Sequence, residues 1–537
     1  MVYTAVMQFK VASRCLAASF FLAALLSAGC HSMAPENGAA PAPTQAVLNV
    51  RDFGARGDGR HLDSPAINRA IAAAAAAGGG TVLIPPGTYL CGSIHLTNNL
   101  HLEIAAGATI LGAPQKMNAY DETEPWSGQA YQDGGHTYFH NSLLWGENLT
   151  NVFITGQGLI NGGGLVRSDG LLDRMCWFAF WGKTNAAALA AKTNYPPCRL
   201  GNKAIALKLC RNVLIRDITI FHGGHFAILV TGCDNLTVDN VTMDTDRDGI
   251  DIDCCKNTTV SNCRINSPND DGLCPKSTYA LGRPVMTENL TIVNCQVSGF
   301  EEGTLLDGRM IPSRVANGRI KFGTESSGGF RNCTIANCTF RACRGLALEE
   351  VDGGLMENIT INNLTMMDTP AYGIYLTTGK RDRTPDLTTT SRMRNIFISN
   401  VIMDGVGPMA GIEITGLPNQ PIDGVRLDNI RLISRGGGTA RDAARVPPEL
   451  GARYPEPRNL GTMPAYGLYA RHVKNLELAN ITTGFQTNDL RPALVCADVQ
   501  GLDVEHFKGE TAEGVVPAKF ENVSGLAVHD SPALSQP

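Results

Sequence analysis

Aromatic residues are scarce in this 537-residue chain, 6% with only 4 tryptophans, and charged residues reach 18%. So few charges exclude a self-repelling disordered polymer, and a hydrophobic fraction of 43% suits a chain that folds around a core. Positive charge is not in surplus. The formal net charge of -5 argues against nucleic acid as a partner. It would also mildly repel a polyanion, so a groove for uronate sugars would need basic residues of its own. No CxxC pair and no Cys/His zinc spacing occurs. What is plentiful is glycine, 58 residues, and with it turns.

The amino terminus reads as a targeting segment. Lys10 and Arg14 precede an apolar run from Cys15 to Ala28, which is short for a membrane span and placed as a signal h-region. It ends Leu26-Ser-Ala-Gly-Cys30, which resembles the lipobox of bacterial lipoproteins. The expectation is an exported protein of the periplasm or cell envelope. Cys30 would anchor it to the outer membrane, its only link to a membrane, with plain secretion as the alternative. Residues 1–30 are then signal and 31–46, rich in Ala and Pro, a flexible tether. A single domain is expected over 47–537, acting as a monomer.

One phrase recurs along that domain: Asn, apolar, any residue, Ile or Val. It stands at Asn151, Asn212, Asn235, Asn257, Asn289, Asn332, Asn358, Asn395 and Asn475. Apolar residues alternate within it, the period of a half-buried strand, and the Asn suits a tight corner where it stacks on its copies. The interval is 23 and then 22 residues between Asn212, Asn235 and Asn257, with longer gaps elsewhere. Loops are therefore expected at 113–140, 163–201, 276–288, 302–327 and 436–465. The architecture that fits is all-β, a right-handed parallel β-helix. An Ala-rich helix with Ser64 as N-cap and Pro65 at its first position would lid one end.

Sixteen cysteines in an exported chain would ordinarily suggest disulfides. Here several hold a fixed place in the phrase, as in Asn262-Cys263, Asn294-Cys295 and Asn337-Cys338, which favours stacked, buried thiols. Cys176 and Cys198, in an irregular stretch, suit a bridge better. The neighbours Cys254 and Cys255 are read as lying on a strand with side chains on opposite faces.

Chemistry concentrates in Asp244-Thr-Asp246-Arg-Asp248-Gly-Ile-Asp251-Ile-Asp253, answered by Asp270-Asp271 about one repeat later. If a coil takes that many residues, Asp248, Asp270 and Asp271 share one patch on neighbouring strands about 4.8 Å apart. Such a cluster has interdependent pKa values and suits acid and base work on a glycosidic bond. The spacing Asp244, Asp246, Asp248 also begins like a calcium loop, but Cys255 stands where that loop needs its last Glu.

These phrases resemble the polygalacturonase family, glycoside hydrolase family 28, over roughly residues 48 to 400. Asp52-Phe-Gly-Ala-Arg-Gly-Asp58-Gly and Thr81-Val-Leu-Ile-Pro-Pro-Gly-Thr-Tyr89 are similar to its amino-terminal signature. Asp246-Arg-Asp248-Gly is similar to its Asn-Thr-Asp-Gly, and Asn269-Asp270-Asp271 to its Gly-Asp-Asp. The resemblance implies inverting hydrolysis, with Asp270 as general acid and Asp248 and Asp271 activating water. It implies a pectic or related polysaccharide substrate and calls for no metal and no cofactor.

Two departures bear on the substrate. Asn317 occupies the histidine position of the family's Gly-His-Gly, ahead of Phe322-Gly-Thr-Glu325-Ser-Ser-Gly-Gly329. Ala347 and Glu349 occupy the family's Arg-x-Lys, which grips the sugar carboxylate. Lys276, Arg309, Arg319, Lys321 and Arg344 are the candidate substitutes, with Asn317, Glu325 and His225 as further substrate contacts. His222 is weighed with His225, and Tyr372 and Tyr375 as sugar-stacking rings. Glu301-Glu302 and Glu349-Glu350 read as surface or loop charges. Two rivals remain: a calcium-dependent lyase on the same fold, and a non-catalytic glycan-binding β-helix.

Overall fold

The computed structural model describes residues 47–124, 136, 138–167, 199–385 and 387–534. Cys30, Cys176 and Cys198, with parts of the expected loops at 113–140 and 163–201, lie outside them. Gln45–Pro537 forms one compact unit.

The strands pair in parallel, coil upon coil, in three walls. One wall runs through Leu100–Ile104, Thr150–Gly156, Arg211–Arg216, Asp234–Asp239 and Lys256–Ser261. A second, of three- to five-residue strands, runs through Ala108–Gly112, Leu159–Asn161, Thr219–Phe221 and Thr242–Asp244. The third is a six-stranded sheet that includes β1 (Phe226–Thr231), β2 (Asp248–Asp253) and β3 (Leu273–Lys276). Further on, β4 (Lys321–Phe322) pairs with β5 (Leu346–Glu350), and β5 with β6 (Tyr372–Thr378). In these later coils the first two walls merge into long bent strands such as Gly329–Arg341 and Leu355–Met367.

The repeated phrase works as its residue types require. Ile335, Ile361 and Ile398 are fully buried and stand in register on successive coils. The Asn before each triplet adopts a left-handed backbone, φ 51–59° at Asn151, Asn212, Asn235, Asn257, Asn289, Asn332, Asn358 and Asn395. Its amide donates to the Asn one coil earlier, Asn212 to Asn151 at 2.9 Å, Asn235 to Asn212 at 2.8 Å and Asn358 to Asn332 at 3.0 Å. Asn257 departs, donating to Asp234 instead.

All twelve described cysteines are free and buried, as the phrase position implied. Cys254 and Cys255 sit just past β2, not on it. Cys254 is left-handed and faces Asp253 and Thr278, while Cys255 joins the core. Helix α1 (Ser64–Ala76) buries Ile67, Ala70, Ile71 and Ala74 against the coil end. Its N-cap is Asp63, one residue before the expected Ser64. The Asp63 carboxylate is taken by the amides of Arg56 and Gly57, and Ser64 Oγ accepts from Gly92 N, so the cap residue's side chain serves the neighbouring loop.

Candidate active site

Three successive coils build the site. Asp248 opens β2. Gly249 N donates to Asp271 O at 3.0 Å and Gly318 N to Asp270 O at 2.8 Å, so residues 246–253, 268–276 and 317–325 lie side by side. The glycine after Asp248 is required by this approach, since a Cβ there would fall 2.3 Å from Gly272 O.

The three carboxyls brought together have unlike surroundings. Asp271 is buried, and its oxygens receive Arg319 Nε at 2.6 Å and Lys321 Nζ at 3.0 Å. Burial alone would raise its pKa, but Arg319 and Lys321 overcome that and hold it well below the usual range. Asp248 is buried too, and its Oδ1 has no hydrogen-bond partner. Burial, then Asp270 and Asp251, push its pKa well up, against the pull of Lys276 3.8 Å away. Asp270 is the open member, its side chain 25% exposed, with Arg247 2.8 Å from Oδ2 and the Asp271 amide on Oδ1.

Behind them lies a polar layer that sequence reasoning missed as a unit. Asp251 on β2 is fully buried, and burial drives its pKa to about 8 despite Lys276 at 3.5 Å. His136 Nε2 approaches it to 3.4 Å. Lys276 also meets Glu325 at 3.3 Å, and Glu325 in turn meets Arg381. Lys276 and Glu325 are thus both buried partners of this layer.

The other candidate contacts fall as follows. Arg319 is 1% exposed and reaches Asp271, Tyr372 OH and both oxygens of Glu456. Lys321 also meets Tyr454 OH at 3.4 Å, and Arg344 meets Glu456 at 2.6 Å. Arg319-Ile-Lys321 is one coil before the family's Arg-x-Lys position, with Lys321 in register beside Ala347. Asn317 is buried with Oδ1 lacking a hydrogen-bond partner. His225 is 2% exposed and packs on Phe226, whereas His222 is half-buried and meets Glu302 at 3.0 Å. Arg309 stands in solvent against Asp307.

Two expectations need correction. Glu349 and Glu350 are not surface charges; both are fully buried on β5. Tyr372 and Tyr375 are buried rings, not open platforms. For three of the four the cause is the same: the stretch 437–465 folds over this part of the wall, where its Leu450, Leu460 and Met463 cluster with both tyrosines, and its Glu456 and Tyr454 lie near Glu349. Glu350 is instead met by the Gly354 amide on its own coil. Nothing periodic announces Glu456, because its partners lie more than a hundred residues away. The acidic run itself splits three ways. Asp244 accepts from Asn266, Leu305 and Leu306, Asp246 faces Arg167, and Asp248 opens the wall.

Comparison with known proteins agrees with the fold. Residues 47–273 match the family model "Rhamnogalacturonase A/epimerase, pectate lyase-like", and 203–389 match "Right handed beta helix region". A probable polygalacturonase of Vitis vinifera is 23% identical over 404 residues, 71% of this chain and 73% of that one. An exo-poly-alpha-D-galacturonosidase of Dickeya chrysanthemi is 26% identical over 254 residues, 42% of this chain and 41% of that one. The solved family 28 exopolygalacturonase of Yersinia enterocolitica shares the fold, with a TM-score of 0.60 at 17% identity over 90% of this chain and 78% of that one. The coil is a right-handed parallel β-helix, and by these relatives the chain is polygalacturonase-like, similar to the hydrolases of glycoside hydrolase family 28.

Proposed function

We propose that the chain cleaves glycosidic bonds in a pectic or related plant polysaccharide with inversion. Asp270 gives its proton to the leaving oxygen, and Asp248 and Asp271 hold the water that attacks from the opposite face, its proton passing to Asp248. Inverting acid and base stand about 6.5–9.5 Å apart, which leaves room for that water. The observation that carries the reading is three carboxyls brought together on adjacent coils, two of them buried and Asp270 open to a substrate. Asp271 is held ionised by the two cations that bind it. Asp270, on the open side, is placed to meet a substrate, and Arg247 positions it. Export and anchoring through Cys30 complete the reading, because polymeric plant substrates lie outside the cell.

The burial of Asp248 favours a second assignment, with Asp248 as the donor. Leaving-group dependence separates the two. If Asp270 is the acid, Asp270→Asn loses about 10²–10⁴-fold on a poor leaving group, and an activated aryl glycoside restores much of the rate. Rescue of Asp248→Asn instead would move the role. An Asp270→Asn variant with more than half the parent rate on the poor leaving group would remove Asp270 from it.

A further inference from the structure

We infer that the sugars held at this centre are neutral hexose or deoxyhexose units, because among the described residues the cations placed to grip a uronate carboxylate are already bound to carboxylates of the protein itself. The inference rests on the hydrolase reading above and names its substrate class.

On one side, Arg319 and Arg344 converge on Glu456. Oε1 takes Arg344 at 2.6 Å and Arg319 at 3.3 Å, and Oε2 takes Arg319 at 3.2 Å. This forked, charge-assisted contact is what a sugar carboxylate would need. Lys321 is spent on Asp271, and Lys276 on Asp251 and Glu325. Glu456 is itself 5% exposed, so a ligand could not displace it without opening the covering stretch.

On the other side lies a cavity of about 180 Å³, lined in part by Gly163, Gly224, Arg167, His222, Asp246 and Glu302. It adjoins the reaction centre, since Asp246 precedes Asp248 by two residues and Asn269, next to Asp270, donates to Asp246 at 2.5 Å. Arg167 uses one arm on Asp246 at 3.2 Å and the other on Glu302 at 2.5 Å. Two carboxylates thus share one guanidinium. His222 lies 3.0 Å from the other oxygen of Glu302, so an added carboxylate would find these groups engaged. Ionised carboxylates are acceptors with spare lone pairs, and the hydroxyls of a neutral sugar are the donors that fill them.

The test uses the full chain carrying Asp270→Asn, titrated calorimetrically with oligogalacturonate, with neutral galacto-oligosaccharide and with rhamnose-containing pectic fragments. At least one neutral or rhamnose-containing ligand should bind about tenfold or more tightly than oligogalacturonate. Adding Glu456→Gln frees the two arginines and should tighten oligogalacturonate by about tenfold, with neutral ligands unchanged. Should that variant not fold, Glu302→Gln tests the cavity, where oligogalacturonate should gain and neutral ligands lose affinity. Oligogalacturonate as the tightest ligand, or no binding of any sugar, overturns the inference. Neutral binding without hydrolysis of any glycan by the parent would remove the hydrolase reading and leave this one standing. Polygalacturonate as the best-cleaved substrate would do the reverse.

Discussion

Asp251→Asn should make stability less dependent on pH, and the size of the effect follows from its surroundings. The Asp251 carboxyl is fully buried, neither oxygen has a hydrogen-bond partner, and its pKa rises from 3.8 to about 8. Between those values the native chain keeps a proton that the unfolded chain releases. Stability therefore falls as pH rises through that window, by about 1.4 kcal/mol per unit from this group. Asparagine cannot ionise and removes this slope. Across three pH units the variant should gain about 4 kcal/mol relative to the parent. For a unit of roughly 490 residues the unfolding entropy is about 1 kcal/mol per degree, so the melting temperatures should diverge by about 4 °C. The assay is parallel thermal and guanidinium unfolding of both chains from about pH 4.5 to 7.5, the interval over which linkage acts. A parent–variant difference that stays constant over that range would refute the reasoning. It would mean that Lys276, 3.5 Å away, outweighs burial and keeps Asp251 ionised.

Turnover should be unaffected by a chelator, because the Asp244 oxygens are occupied by Asn266, Leu305 and Leu306 and the run does not converge on one cage. Loss of activity restored by calcium alone would favour the lyase rival. Ile361→Ala should cost about 2–5 kcal/mol in guanidinium unfolding, since Ile361 is fully buried between Ile335 and Ile398. A cost below about 1 kcal/mol would deny that this stack carries core packing.

The fold was legible because its signal repeats. Each Asn phrase names a corner, an inward pair and a strand, and Cys263, Cys295 and Cys338 fall at one place in it. The aspartates were legible for the same reason, since one repeat of spacing puts Asp248 beside Asp270 and Asp271. Contacts made by the covering stretch had no such signal. Glu349, Tyr372 and Tyr375 read as surface features because Glu456, Tyr454 and their neighbours, far along the chain, cover them, whereas Glu350 is buried by its own coil and the one before, around Gly354 and Ser326. The Arg167, His222 and Glu302 cavity joins three loops whose meeting no local pattern encodes. The helix start was missed by one residue because the Asp63 side chain is diverted to Arg56 and Gly57.

The asparagine column has a further consequence. Each rung hands its amide to the rung before, from Asn395 through Asn358, Asn332 and Asn289 to Asn257. Every link is chemically alike, so the column has a direction but no built-in length. Excising one whole period, residues 358–394, would present Asn395 to Asn332 with the same donor and acceptor, whereas a fractional excision would throw every later corner out of phase. Molecules on this plan can lengthen or shorten by integers. The cluster of Asp248, Asp270 and Asp271 is tied to fixed neighbours on three consecutive coils and cannot, so the chain combines an axis of adjustable length with a candidate site whose position on it is fixed.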